Sequence, residues 1–225
     1  MAKTIIISLG GSLIVPQEID VNWLRSFKEL IEKKAKQGFK FVIICGGGKV
    51  CRNYQNASKE IGNNNKEELD WIGIKVTQVN AQLVKSMFPN SHKEIITNPT
   101  KKINFKEKII IAAGWKPGCS TDNDAVLLAR NLKVKNLINL SNIDYIYDKD
   151  PKKFNDAKVI KEISWKDFRK IVGNKWDPGL NAPFDPIASK EAEKLGMEVA
   201  IMNGKSLVNL ENYIDGKQAI GSIIK

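Results

Sequence analysis

The sequence predicts an α/β fold, a mostly parallel central sheet covered by helices on both faces as a three-layer α/β/α sandwich. Short apolar runs alternate along the chain with segments whose apolar residues recur every three or four positions. Several of these runs end in glycine clusters, as buried parallel strands leading into tight turns do. No tract rich in Gly, Ser or Pro divides the 225 residues, so residues 1–225 read as one domain or two intimately joined lobes.

The elements follow in order. Thr4 to Leu9 is an isoleucine-rich strand that ends at Gly10-Gly11-Ser12. Asp20 caps a helix whose apolar stripe is Trp23, Leu24, Phe27, Leu30 and Ile31, with Gly38 as its stop. Lys40 to Cys45 is the second strand, and Gly46-Gly47-Gly48 follows it. Val50, Tyr54, Ala57 and Ile61 then recur at helical spacing, and Leu69, Ile72, Val76, Val79 and Leu83 do so again. Lys108 to Ala112 is a strand, Asp122 to Leu132 a helix, and Leu137 to Leu140 a strand. Asn142 to Ile163 is polar and turn-rich, which predicts a short hairpin or flap. Ser164 with Asp167 forms a capping box for a helix through Ile171, and Asp185-Pro186 opens a helix that Gly196 ends. Met197 to Met202 and Ala219 to Ile224 complete the strands.

Composition narrows the function classes. No apolar stretch reaches membrane-spanning length and the N-terminal residues lack a signal-peptide pattern, so the expectation is a soluble, cytoplasmic protein. The three cysteines, Cys45, Cys51 and Cys119, form no CxxC pair and read as reduced thiols. A single histidine, His92, leaves little material for a histidine-centred triad or metal site. The formal net charge of +11 favours anionic ligands. Its lysines, including Lys33-Lys34, Lys101-Lys102 and Lys152-Lys153, are scattered rather than interleaved with aromatics, so nucleic acid is not the expected partner.

Three loops carry the candidate chemistry: Ser8 to Ser12, Cys45 to Arg52 and Ala113 to Asp124. In a parallel sheet they gather at the carboxyl ends of the strands, where ligands bind. None matches GxGxxG with a downstream acid or a GxxxxGK[ST] loop, which disfavours a Rossmann cofactor site and a Walker-type enzyme. The triple glycine lets bare N–H groups approach an anion, and Arg52 on the following helix is placed to fork onto a phosphate; each also reads as a plain turn or a surface arginine. Asp70 is either an acceptor for sugar hydroxyls or a solvated helix position. Ser120 and Thr121 offer hydroxyls at a helix start or simply cap it. Asp144, Asp148, Asp150 and Asp185 stand beside turns and helix starts, where capping competes with binding a metal or orienting a basic group.

Taken together, SLGGS, CGGGKVCRNY, LDWIGIKVTQVNA, AGWKPGCSTDNDAVLLA, LSNIDYIYDKDP and PFDPIASK, in this order from Lys3 to Ile224, resemble the amino acid kinase family and most closely its archaeal-type UMP kinases. The resemblance implies transfer of the ATP γ-phosphoryl group to UMP, giving UDP, with Mg²⁺ accompanying ATP, in a homohexamer. It places the acceptor lobe at about residues 1–135 and the ATP lobe at about 136–225. By the same resemblance Gly46, Gly47, Gly48 and Arg52 hold the UMP phosphate, and Asp70 takes the ribose hydroxyls. Gly114, Ser120 and Thr121 meet the acceptor nucleotide, while Gly10, Gly11 and Ser12 lie against the transferring phosphates. Asn142, Asp144, Tyr147 and Asp150 fall in the ATP-side loop, with Asp185 as polar organiser and Lys190 as phosphate neutraliser. Residues that would hold the metal are not specified.

The chain also departs from the pattern. Ser8 stands where many members carry a first-strand lysine, so the central cation is left to Lys49, Lys116 or Lys190. Tyr145 replaces the usual glycine after the ATP-side aspartate, and Trp115-Lys116 fill the acceptor loop unusually. Two other readings stay open: a nucleotide-binding or storage relative with weak catalysis, which Ser8 favours, and a family member acting on another phosphate or carboxylate acceptor. Within the family, His92 is poorly placed for an isopentenyl phosphate kinase, and Arg52 with Asp70 suits a nucleoside monophosphate better than a small carboxylate.

Overall fold

Strand β1 (Thr4–Leu9) runs through the centre of a seven-stranded sheet. The computed structural model describes residues 3–63, 65–104, 106–151, 153–173 and 182–225, so Lys152 lies outside it. β2 (Lys40–Cys45) and β4 (Asn136–Ser141) flank β1 in parallel, with Ser8 in register with Ile44 on one side and Asn139 on the other. β3 (Ile109–Ala112) lies outside β2 and β8 (Glu198–Asn203) outside β4, both parallel. β9 (Ser222–Ile224) runs antiparallel to β8, and β7 (Glu162–Ile163) pairs parallel with β9 at the edge. The order β3-β2-β1-β4-β8-β9-β7 winds outward from β1 in both directions. The carboxyl ends of β1 to β4 therefore open on one edge at a topological switch point.

Alternation along the buried strands sorts the core into two layers. Ile5, Ile7, Leu9, Phe41 and Ile43 pack with α1 (Gly11–Ile14), α2 (Val21–Lys36), α4 (Lys66–Ser86) and α8 (Leu207–Ile214). Ile6, Val42 and Ile44 face α5 (Thr121–Leu132), α6 (Trp165–Val172) and α7 (Pro186–Lys194). The expected caps are present: Asp20 accepts from the Trp23 amide at 3.0 Å, Ser164 from Asp167 at 3.1 Å and Asp185 from Ala188 at 2.6 Å. No helix among the described residues is long and apolar enough to cross a membrane.

Several expectations needed the third dimension. The Val50, Tyr54, Ala57, Ile61 stripe of α3 (Gly48–Glu60) does not face the core: Ile61 is 85% exposed, while Gln55 and Ser58 are buried. On α4, Val79 is 69% exposed and the inner face is Leu69, Gly73, Ile74, Thr77 and Asn80. Polar residues turn inward on both helices because they bond to main-chain groups there, Gln55 to Leu69 O at 2.8 Å and Asn80 to Gly46 O at 2.8 Å. The 142–163 flap is a hairpin of β5 (Ile146–Tyr147) and β6 (Val159–Ile160), but its last residues join the main sheet as β7. The last strand begins at Ser222 rather than Ala219, because the Ile220 amide is bonded to Asn209 of α8 at 2.6 Å.

Candidate active site

Three loops converge at the switch point and interlock through glycine. A Cβ on Gly11 would lie 2.4 Å from Gly48 N, and Gly48 has φ +64°, so neither position accommodates a side chain. This contact sets the first loop against the second. Gly46 N–H bonds to Leu9 O and Gly10 N–H to Leu140 O, each at 2.8 Å. The Gly10 amide is thus engaged in the sheet rather than free for a transferring phosphate, which corrects the expectation for that residue and leaves Gly11 and Ser12 as the candidates of that loop. Gly46 is likewise a buried junction, held also through Asn80.

A cavity of about 220 Å³ lies beside this junction. Gly47, Gly48, Arg52, Asp70, Gly114, Ser120, Thr121 and Asp185 all line it, bringing together residues spread over more than half of the chain. Asp70 accepts from Gly118 N–H at 2.8 Å, and burial pushes its carboxyl up. Ser120 both lines the cavity and caps α5, accepting from Asn123 N–H at 3.2 Å.

The remaining expected residues lie elsewhere. Lys190 is exposed on α7 and does not line the cavity. Lys49 and Lys116 are also exposed, and Lys116 Nζ sits 4.2 Å above the Trp115 ring. Among the described residues Arg52 is the one Lys or Arg lining the cavity. Asn142, Asp144, Tyr147 and Asp150 are at the β4–β5 side, where Asp144 accepts from Asn203 Nδ2 at 3.0 Å.

Sequence reasoning passed over the residue at the centre, Asp122. Its Oδ1 accepts from Ser8 Oγ at 2.9 Å and Asn139 Nδ2 at 3.0 Å, and its Oδ2 from Asp185 N–H at 3.2 Å. Ser8 and Asn139 are register partners on adjacent strands, so their side chains reach the same carboxylate. Burial, reinforced by the charge of Asp185, pushes Asp122 up to about 7 against the Ser8 hydroxyl, which pulls it down. Ser8 and Asn139 are thus two neutral donors on one buried aspartate. The signal in the sequence was Asp122 inside STDND, which read as helix-start chemistry.

Asp185 Oδ2 is buried with no hydrogen bond among the described residues, while Oδ1 caps α7. Burial raises this carboxyl too, opposed by the Ala188 amide and the nearby Ser120 hydroxyl. Cys51 and Cys119 line the cavity as well, and burial pushes both thiols up.

Glycine loops at a switch point, an arginine on the following helix and buried carboxylates lining the same cavity define a phosphate-handling α/β enzyme site. The amino acid kinase family profile matches residues 3–203, and the chain belongs to that family. Within it, the chain is similar to the uridylate kinase of Methanobrevibacter smithii, 32% identical over 224 residues that cover 98% of both chains. It is also similar to the uridylate kinase of Staphylothermus marinus, 32% identical and covering 100% of this chain and 99% of that one. The crystal structure of uridylate kinase from Archaeoglobus fulgidus superposes with a TM-score of 0.83 at 29% identity, over 98% of this chain and 99% of that one.

Proposed function

We propose that this protein is a UMP kinase, transferring the γ-phosphoryl group of ATP to UMP to give UDP and ADP in pyrimidine nucleotide biosynthesis. The observation that carries the reading is that Gly47, Gly48, Arg52, Asp70 and the 119–121 segment line one cavity. Amides and a guanidinium in its wall suit a phosphate, and the Asp70 carboxylate in the same wall suits ribose hydroxyls. The acceptor oxygen is already anionic, so transfer needs no strong base and no covalent intermediate. Catalysis rests on holding the two phosphates in line and neutralising the charge that spreads over the transferring oxygens.

The donor side belongs to the same reading. Residues 136–225 form the ATP lobe, with Asn142, Asp144, Tyr147 and Asp150 near the nucleotide and Lys190 at its edge. Mg²⁺ fits the residues present: no cluster of three ligating side chains occurs among the described residues, but Mg²⁺ bound to nucleotide needs only one or two carboxylates. Asp185 Oδ2, buried and without a hydrogen bond among the described residues, is the group that would face it. The ion would neutralise developing phosphate charge, a role the missing first-strand lysine leaves open. A cytoplasmic location and a homohexamer complete the proposal, and the outward apolar residues Tyr54, Ile61, Trp71 and Val79 of α3 and α4 support burial against further copies.

ATP-dependent UDP formation from UMP, followed by separation of the nucleotides, tests the function. Turnover of another monophosphate or of a small acid, with none of UMP, would refute the substrate.

A further inference from the structure

Asp124 lies two residues beyond Asp122 on the first turn of α5, is 1% exposed and does not line the cavity. It is followed by the buried apolar residues Ala125, Val126, Leu128 and Ala129. A buried carboxylate without a cation is expensive unless its oxygens are satisfied. Both are, and by the same loop: Oδ2 accepts from Trp115 N–H at 3.1 Å and Oδ1 from Cys119 Sγ at 3.1 Å. Asn123 Nδ2 lies 3.0 Å from the same sulfur and holds it from the other side. Two further bonds pin the loop, Gly114 N–H to Thr77 Oγ1 at 2.9 Å and Gly118 N–H to Asp70 Oδ2 at 2.8 Å. Thr77 and Asp70 belong to α4, on one side of the cavity, whereas Asp124 grips the loop from α5.

We infer that Asp124 is a positioning residue that clamps the 115–119 loop between α4 and α5 and so sets the shape of the acceptor-nucleotide pocket. It touches no substrate. It acts through Cys119, which lines the cavity, and through the Trp115 to Gly118 backbone, whose far end engages Asp70. The inference rests on the acceptor assignment proposed above, and the experiment separates the two.

Asp124→Val removes both acceptors at nearly constant volume, and Asp124→Asn keeps an oxygen for Trp115 N–H. Steady-state kinetics with UMP and ATP varied in turn should show KM for UMP raised about 10-fold or more in Asp124→Val, the loss expected from two hydrogen bonds to a charged acceptor. KM for ATP should stay within about two-fold, and Asp124→Asn should recover most of the UMP affinity. Unchanged KM for UMP, or an equal rise in both constants, overturns the clamp. Two readouts need neither activity nor the valine variant. In the ligand-free protein, Trp115 amide exchange should remain slow in Asp124→Asn, while Cys119 should alkylate faster because its S–H has lost the carboxylate acceptor; alkylation equal to wild type overturns the inference. If the wild-type protein transfers nothing to UMP, the kinase reading falls, and exchange and alkylation still decide the clamp.

Discussion

Replacing Lys34 by methionine should destabilise the fold by about 2 kcal/mol at neutral pH, and nearly all of that loss should vanish in acid. Lys34 sits on α2 with its side chain 2% exposed, and its ammonium reaches Asp215 at 2.6 Å and Glu211 at 2.9 Å across the interface with α8. Methionine keeps the apolar stem in place, so the change removes charge rather than packing. Breaking a buried ion pair costs about 3–5 kcal/mol when it strands the partner. Here the partners are not stranded: Glu211 keeps Lys33 at 2.7 Å, Asp215 has Lys217 at 3.7 Å, and both carboxylates are about a quarter exposed. The cost is therefore placed at the lower figure.

The pH dependence has a definite sign. Burial pulls the Lys34 ammonium down, but the two carboxylates outweigh it and its pKa is raised, so it stays charged throughout. Lys33 and Lys34 hold Glu211 down to about 2, and Lys34 holds Asp215 below the usual carboxylate range. A depressed carboxylate stabilises the native state above its unfolded pKa of about 4, and that contribution is lost as pH falls toward 2. Urea denaturation at fixed protein concentration, at pH 7 and again near pH 2, measures it. At this chain length 2 kcal/mol corresponds to a fall of about 4–8 °C in Tm. A destabilisation below about 0.5 kcal/mol at pH 7, or one of equal size at both pH values, would refute the reasoning.

Arg52→Ala should raise KM for UMP about 10- to 100-fold, the value of a charge-assisted phosphate contact, with a smaller change in KM for ATP; equal effects on both would remove Arg52 from the acceptor end. Gly11→Ala should abolish soluble, folded protein or its UMP binding, because its Cβ would fall 2.4 Å from Gly48 N, and calorimetric UMP affinity equal to wild type would contradict the interlocked loops. Asp122 and Asp124 are both raised to about 7 by burial, so the native state binds more protons than the unfolded chain between about pH 4 and 7. Ligand-free stability should accordingly decline as pH rises through that window and level off above it, with Asp124→Asn flattening the slope; a urea midpoint that climbs from pH 5 to 7.5 is the opposite outcome.

Local regularities were readable along the chain because they depend on neighbours a few residues away. The isoleucine run of β1, the caps at Asp20, Ser164 and Asp185, and the stop at Gly38 all act within one helical turn or one strand. Alternation of such segments implied the parallel sheet, and that sheet implied where the glycine loops would meet. The helix α8 went unread, although Ser206 caps it and Leu207, Leu210 and Ile214 recur at helical spacing, because eight residues give barely two turns of pattern. The stripe on α3 was misleading for a related reason: periodicity shows that one side is apolar, but whether that side meets the core depends on where the helix is docked.

What the amino-acid sequence determined by itself was the order of strands, glycine turns and helices, and with it the candidate cavity walls Gly47, Gly48, Arg52, Asp70 and Ser120. Tertiary structure alone decided which groups share that cavity and in what electrical state. Ser8 meets Asp122 across 114 positions of chain, and Asp70 meets Gly118 across 48. At that separation no local pattern records the encounter. Asp122, Asp124 and Asp185 look alike as letters beside helix starts, yet burial and partner geometry make one a junction of two strands, one a loop clamp and one a helix cap whose second oxygen has no hydrogen bond among the described residues. A carboxylate's role follows from its desolvation and its donors, and both are set only when the chain has folded around it.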